Sequence, residues 1–255
     1  MNFSLPTAEL IALMLGAART GAWMMVCPPF NSRLIPGQVK ALLSVGLTLP
    51  LAPYLRGTLP SLQTADIIFS VLIQVFVGAG LGFVTALLFA ALQAAGDLID
   101  LFGGFTLAMG YDPLSQNQSS IFGRFYNLVA VTLLFATDGH QLVLRGFLQS
   151  FKTVPLDWSF SPNTFSELII KGLGEMFVAA IQIAGPLIAV LFLTDVAFGL
   201  LNRVAPALNA FQLGFPAKIF MVLLISGIAI TALPGVVHSL VERAVAAVLR
   251  LTGGG

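Results

Sequence analysis

The sequence has few charged residues and few of the residues that usually perform catalysis or bind metals. Only 9% of its 255 residues are charged, against about 25% in typical soluble domains, whereas 57% are hydrophobic. A single cysteine, Cys27, excludes an internal disulfide, and the two histidines, His140 and His238, lie far apart. The mean hydropathy of +0.95 is typical of a polytopic membrane protein. We therefore expect neither a metal site nor a cofactor.

The sequence also lacks the motifs of several enzyme classes. It contains no HExxH, no GxxxxGK[ST] and no GxSxG. The net charge of +1 gives no reason to expect a nucleic-acid partner. The first residues, Met1 to Thr7, contain no Lys or Arg, so they do not fit a standard signal peptide. We expect a membrane protein that inserts through its own helices and is not an enzyme.

Long apolar runs separated by Pro, Gly and polar clusters predict an all-α fold of long helical hairpins in one membrane domain, residues 1–255. The third helix would be roughly 55 Å long, whereas a hydrocarbon core is about 30 Å thick, so part of it must leave the membrane, kink or pack in a larger assembly. The tail has apolar residues at helical spacing, which predicts an amphipathic surface helix. The predicted helices are at about 8–26, 39–55, 66–102, 121–136, 165–201 and 217–233, and the tail helix is at about 237–250.

The predicted third helix carries small residues four apart on one face. This spacing permits close helix contact in a membrane, although an Ala-rich helix also produces it without any such contact. The residues are Gly78, Gly82, Ala86, Ala90 and Ala94.

One stretch, GGFTLAMGYDPLSQNQSSIFG from Gly103 to Gly123, interrupts the apolar runs. It has four glycines and one charge, Asp112, and the dipeptide Asp112-Pro113 cannot continue a helix. Non-helical backbone cannot lie exposed in hydrocarbon, because its N–H and C=O groups would lack partners. The stretch is therefore either a loop in water or backbone buried in protein or in a water-lined passage.

Ionisable residues within apolar helices are costly in a membrane and are candidates for function. Asp97 and Asp100 lie three apart on one helix face, where the third helix leaves its apolar run, and we expect both carboxylates to be solvated there. The candidates for polar contacts within the membrane or between subunits are Asp97, Asp100, Glu175, Asp195, Arg203 and Lys218.

Three motifs of the chain are similar to those of a known family. GDLIDLFGGFTLAMGYDP with SQNQSSIFGRFYN, DGHQLVLRGFLQSF, and the stretch from Gly174 to Ile219 resemble the FliR family of flagellar export-gate proteins, to which an injectisome counterpart in type III secretion is related. The resemblance covers essentially the whole chain. It implies a FliP-like portion followed by a FliQ-like hairpin, at about Phe177 to Leu233.

The resemblance also implies a function and a location. Proteins of this family build, with several copies each of FliP and FliQ, the pore through which unfolded substrates enter the secretion system, together with FlhB and FlhA. The expected location is the bacterial inner membrane at the base of the flagellar basal body.

The family resemblance further implies that the loop at 103–122, and above all residues 105–122, plugs the closed pore. Aromatic, Leu and Met side chains can fill a narrow lumen, with Met as a deformable packing residue. The candidate plug residues are Phe105, Leu107, Met109, Tyr111, Asp112 and Pro113.

Three alternatives stay open at this point. An injectisome subunit would share the same features. A secondary transporter would bind an ion or anion through Asp195, Arg203 and Lys218. An intramembrane aspartyl protease would need two facing aspartates such as Asp97 and Asp112, although Asp112 is followed directly by proline.

Overall fold

The computed structural model describes residues 7–61, 63–106, 120–157, 162–206 and 210–251. Every regular element in these ranges is a helix, which confirms the all-α prediction. Short 3-10 turns occur at Leu49–Leu51, Arg56–Thr58 and Ile230–Ala232. The α-helices are α1 (Thr7–Val26), α2 (Gly37–Thr48), α3 (Ala52–Leu55), α4 (Thr64–Gly103), α5 (Ile121–Ala136), α6 (Gly139–Thr153), α7 (Pro162–Val204), α8 (Ala210–Ala229) and α9 (Leu233–Leu251).

Four helical stretches in the described part are long and apolar enough to cross a membrane. If the consecutive helices α5 and α6 form one broken span, the number is five. The four stretches are Thr7–Val26, Thr64–Gly103, Ile169–Val204 and Gln212–Ala247. These helices confirm the prediction of a polytopic membrane protein, whereas its division into a FliP-like portion and a FliQ-like hairpin stays a prediction.

Prolines account for the main differences between the predicted and observed helix ends. The second predicted helix, 39–55, divides into α2, a turn that contains Pro50, and α3. The sequence predicts a helix start after Pro216, but α8 begins at Ala210 and continues through Pro216. Pro234 lies in the first turn of α9, where a proline needs no backbone N–H partner and is tolerated.

The described chain divides into two compact units. One comprises residues 1–88, 138–172 and 240–255, and the other comprises 89–137 and 173–239, so that α4, α7 and α9 contribute to both. That the 255 residues form one membrane domain stays a prediction.

In the first unit, α1 is the central helix and packs against α2 and α3. The glycines of α4 contact its backbone: a Cβ on Gly78 would collide with the Arg19 carbonyl group, and one on Gly82 would lie 2.9 Å from the Trp23 carbonyl oxygen. Gly78 and Gly82, two of the small residues that lie four apart on α4, therefore permit close contact between α4 and α1. Trp23 stacks on Phe147 of α6 at 4.3 Å between ring centroids.

In the second unit, the end of α4 packs against α5 and α8. A Cβ on Gly96 would collide with the Phe122 carbonyl oxygen, and one on Gly103 would lie 2.9 Å from a methyl group of Val222. Gly104 follows with a φ of 82°, a conformation that favours glycine, and a Cβ there would lie 3.1 Å from the Phe215 ring. The chain therefore leaves α4 through a turn that glycine alone fits well.

Candidate functional site

The predicted plug lies only partly within the described residues. Leu107, Met109, Tyr111, Asp112 and Pro113 lie outside them. Phe105 is described and is partly buried, and its ring lies edge-on to the Phe122 ring at 5.5 Å between centroids. The structure therefore places the two ends of the predicted plug, and their contacts define a candidate site between α4 and α5.

The centre of this candidate site is the carboxylate of Asp100 in α4. Its Oδ2 atom accepts a hydrogen bond of 2.9 Å from the backbone N–H of Phe122 and a short one from the hydroxyl of Ser120. The Ser120 hydroxyl oxygen in turn accepts a hydrogen bond of 2.8 Å from the N–H of Gly123. The first turn of α5 leaves N–H groups without helical partners. Two of them are satisfied here, one by a hydrogen bond to Asp100 itself and one by a hydrogen bond to Ser120, which in turn donates to Asp100.

The burial of Asp100 corrects one expectation from the sequence. We expected both carboxylates to be solvated at the helix end, but Asp100 is 0% exposed, whereas Asp97 is exposed. A buried carboxylate requires hydrogen bonds, and the N-terminus of α5 supplies them together with the positive end of its helix dipole. Asp97 lies beside the same turn, because a Cβ on Gly123 would collide with its Oδ1.

A second polar contact joins the same two helices in a more exposed position. Asn127 of α5 donates a hydrogen bond of 3.3 Å to the side chain of Gln93 in α4. Gln93 is exposed, so this bond competes with water and contributes less than the buried bonds to Asp100.

Of the remaining polar candidates, the structure brings together two. The Nζ of Lys218 in α8 lies 2.5 Å from Oδ1 of Asp195 in α7. Glu175 and Arg203 are exposed on α7. Of the three residues of the transporter hypothesis, Asp195 and Lys218 pair with each other, and no ion pair of Arg203 occurs among the described residues.

Sequence reasoning missed Ser120 in this candidate site and a buried polar residue elsewhere in α4. Ser120 directly precedes an apolar helix, which is the position of an N-cap, and this signal was sufficient to identify it. Gln74 is the other, an amide that lies between apolar residues in the first half of α4, where it is fully buried. Its isolation among apolar residues was a signal too, since a buried amide needs partners.

Among the described residues, no group of three or more His, Cys, Asp or Glu side chains could hold a metal ion. The described helices define a polytopic helical membrane protein. Near the end of its long helix α4, the buried Asp100 makes a polar contact with the start of α5.

The sequence matches the family described as bacterial export proteins, family 1, over residues 10–244. The chain belongs to this family. It is similar to the flagellar biosynthetic protein FliR of Pectobacterium carotovorum subsp. carotovorum, with 34% identity over 84% of this chain and 82% of the relative. The corresponding protein of Bacillus subtilis (strain 168) is 33% identical over 82% of each chain. That of Escherichia coli (strain K12) is 30% identical over 78% of this chain and 76% of the relative. These matches confirm the family resemblance.

Proposed function

We propose that this chain is a subunit of the flagellar type III protein export gate. With FliP and FliQ it forms, in the bacterial inner membrane at the base of the basal body, the pore through which unfolded substrates enter. FlhB and FlhA act with this assembly. The residues between Phe105 and Phe122 plug the closed pore, and the chain performs no catalysis of its own.

The observation that carries this proposal is the family match over residues 10–244, together with relatives named flagellar biosynthetic protein FliR. The three relatives named above carry the flagellar name, which favours a flagellar over an injectisome subunit.

The surface of the hairpin helices also fits a subunit of an assembly. Helices α7 and α8 leave many large apolar side chains uncovered by the rest of the chain, and only lipid or partner helices can cover such surfaces. Among those more than half exposed are Phe177, Ile181, Phe192, Leu193, Leu200, Phe220, Leu223 and Ile228.

The ion pair in the hairpin argues against the transporter alternative. Asp195 and Lys218 neutralise each other at 2.5 Å, so neither has a free charge for a transported ion. The protease alternative requires Asp97 and Asp112, of which Asp97 is exposed and Asp112 lies outside the described residues.

Native mass spectrometry tests the assembly. The tagged chain is co-expressed with the FliP-like and FliQ-like proteins of the same organism and purified in mild detergent. We expect one complex that contains all three proteins. Recovery of this chain as a lone monomer or homodimer, with neither partner retained, would overturn the proposal and favour a protein that acts alone.

A deletion tests the plug. Removal of the residues from Leu107 to Gln116 should make cells that contain the assembled export complex permeable to small solutes. The matched control is the same deletion in cells without the FliP-like protein, where no pore forms and no leak is expected. Unchanged permeability with a fully assembled complex would contradict the plug assignment, but it would not contradict the proposed assembly.

A further inference from the structure

Four polar side chains form one ridge on the surface of α4 and α5. Gln93 and Asp97 are exposed and lie four residues apart on one face of α4. Arg124 is exposed and Asn127 partly exposed, three residues further along α5. The hydrogen bond of 3.3 Å from Asn127 to Gln93 joins the two rows. We call these four residues the polar ridge.

The polar ridge occupies only one side of α5. Large apolar side chains project from a neighbouring face, which lies about a quarter of a turn around the helix. They are Ile121 (53% exposed), Phe125 (38%), Leu128 (62%) and Phe135 (47%). Asn127 and Leu128 are neighbours in sequence, as are Arg124 and Phe125, so the polar and apolar faces occur at the same level along the helix. The two sides of α5 therefore require different surroundings at one level.

Lipid does not suit the polar ridge. Gln93 and Asp97 lie within Thr64–Gly103, one of the stretches that are apolar enough to cross a membrane. Asp97 and Arg124 carry opposite charges, but neither makes an ion pair among the described residues. Charged side chains in membrane-spanning helices are costly against hydrocarbon, and almost all of them face the interior of a bundle or a water-filled cavity. The polar ridge is therefore the side of α4 and α5 that requires water.

We propose that the polar ridge lines the water-filled passage of the export gate and contacts the unfolded substrate there. This inference rests on the proposed function and deepens it, because it names the face of this chain that the substrate meets. An unfolded chain presents backbone N–H and C=O groups whatever its sequence. The side-chain amides of Gln93 and Asn127 can both donate and accept hydrogen bonds. With one positive and one negative side chain, the ridge favours neither acidic nor basic substrates.

The reaction of single cysteines with a water-soluble maleimide tests the passage. Each cysteine is introduced in a Cys27→Ala background, and labelling is measured in the assembled complex. Asn127→Cys should react roughly tenfold faster than Leu128→Cys or more, because only a thiol in contact with water ionises readily. Gln93→Cys should match Asn127→Cys and keeps the test valid if that variant fails to assemble. Equal rates on the two faces of α5 would overturn the proposal.

A stalled substrate tests the contact itself. An export substrate fused to a domain that stays folded is arrested in the gate, and labelling of Asn127→Cys should then be lost while labelling of Leu128→Cys stays as it was. A photoreactive amino acid at position 127 should capture the arrested substrate, and the same amino acid at position 128 should not. Capture of another subunit alone at position 127 would overturn the proposal, because the ridge would then be a contact between subunits.

Native mass spectrometry separates this inference from the function on which it rests. If the Asn127→Cys and Gln93→Cys chains retain the FliP-like and FliQ-like proteins but neither cysteine is labelled, the ridge does not line the passage although the assembly exists. If the unchanged chain retains neither partner, the proposed function itself fails.

Discussion

The Nε atom of Arg19 donates a hydrogen bond of 2.6 Å to Oε1 of Gln74, and both side chains are fully buried. The guanidinium group also donates to the carbonyl oxygen of Val154 at 2.8 Å and lies 4.4 Å from the centroid of the Phe151 ring. Gln74 completes the network by donating to the Leu156 carbonyl oxygen at 3.1 Å. No ion pair of Arg19 occurs among the described residues. The carbonyl groups at the end of α6, where the helix dipole is negative, therefore stabilise its charge.

We predict that Arg19→Met is strongly destabilising. The substitution leaves the Gln74 amide oxygen and several carbonyl groups of the α6 end buried without donors, at a cost of about 3 kcal/mol or more. For a chain of this size, that corresponds to a fall of roughly 6–12 °C in the apparent melting temperature. Thermal scanning of the purified complex measures it.

The control for Arg19→Met is Arg56→Met. Arg56 also makes a polar contact, at 3.4 Å to Glu9, but its side chain is 54% exposed. Exposed ion pairs contribute about 0–1 kcal/mol, so the control should change the melting temperature little. Equal effects of the two substitutions would contradict the structural role of Arg19.

Gly78→Ala should destabilise the contact between α1 and α4. The new methyl group would collide with the backbone carbonyl group of Arg19, which cannot move without displacing the helix, and overpacking of this kind costs about 1–3 kcal/mol. Gly46→Ala is the matched control, because Gly46 is exposed within α2 with no atom near its Cβ position. There the better helix former should stabilise by up to about 1 kcal/mol. Thermal scanning should give opposite signs, and a loss of the same size in both variants would contradict the close packing.

The sequence was informative where local chemistry decides the structure and uninformative where distant residues meet. Apolar runs located the long helices, and the spacing of Gly78 and Gly82 permitted, without requiring, the close contact that the structure contains. The burial of Asp100 was not predictable, because it depends on the start of α5 folding back onto the end of α4. The Arg19–Gln74 pair joins residues 55 positions apart, and no periodicity in the sequence predicts such a pairing.

Cys27 should be inert to maleimide in the native protein. It is fully buried, and burial raises the pKa of its thiol to about 12, although a hydrogen bond with Thr85 acts in the opposite direction. At pH 8 only about one molecule in ten thousand would then carry the reactive thiolate. Native protein should label very slowly and denatured protein fully. Gly57→Cys, at an exposed position in a Cys27→Ala background, is the positive control.

The same pKa shift of Cys27 predicts the direction of a pH effect on stability. An unfolded cysteine has a pKa of about 8.5, so between that pH and about 12 the unfolded chain has lost the proton that the native protein retains. This contribution therefore lowers the free energy of unfolding as the pH rises through that window. Cys27→Ala should show a weaker fall in melting temperature between pH 8 and pH 10 than the unchanged protein, and identical slopes would contradict the assignment.

The ion pair between Asp195 and Lys218 provides a test that separates a structural pair from an ion-binding site. Lys218 is 19% and Asp195 49% exposed by side chain, so we expect a modest coupling of about 0.5–1 kcal/mol between them in a double-mutant cycle. Asp195→Asn and Lys218→Met should each lower the melting temperature of the complex, and the double variant should lose less than the sum. The reversed pair, Asp195→Lys with Lys218→Asp, should recover most of the stability and of the swimming motility, because a structural pair needs opposite charges but not a particular order.

Arg203→Met, exposed on the same helix, is the control and should change neither readout. Additive losses with no recovery in the reversed pair would contradict a structural pair.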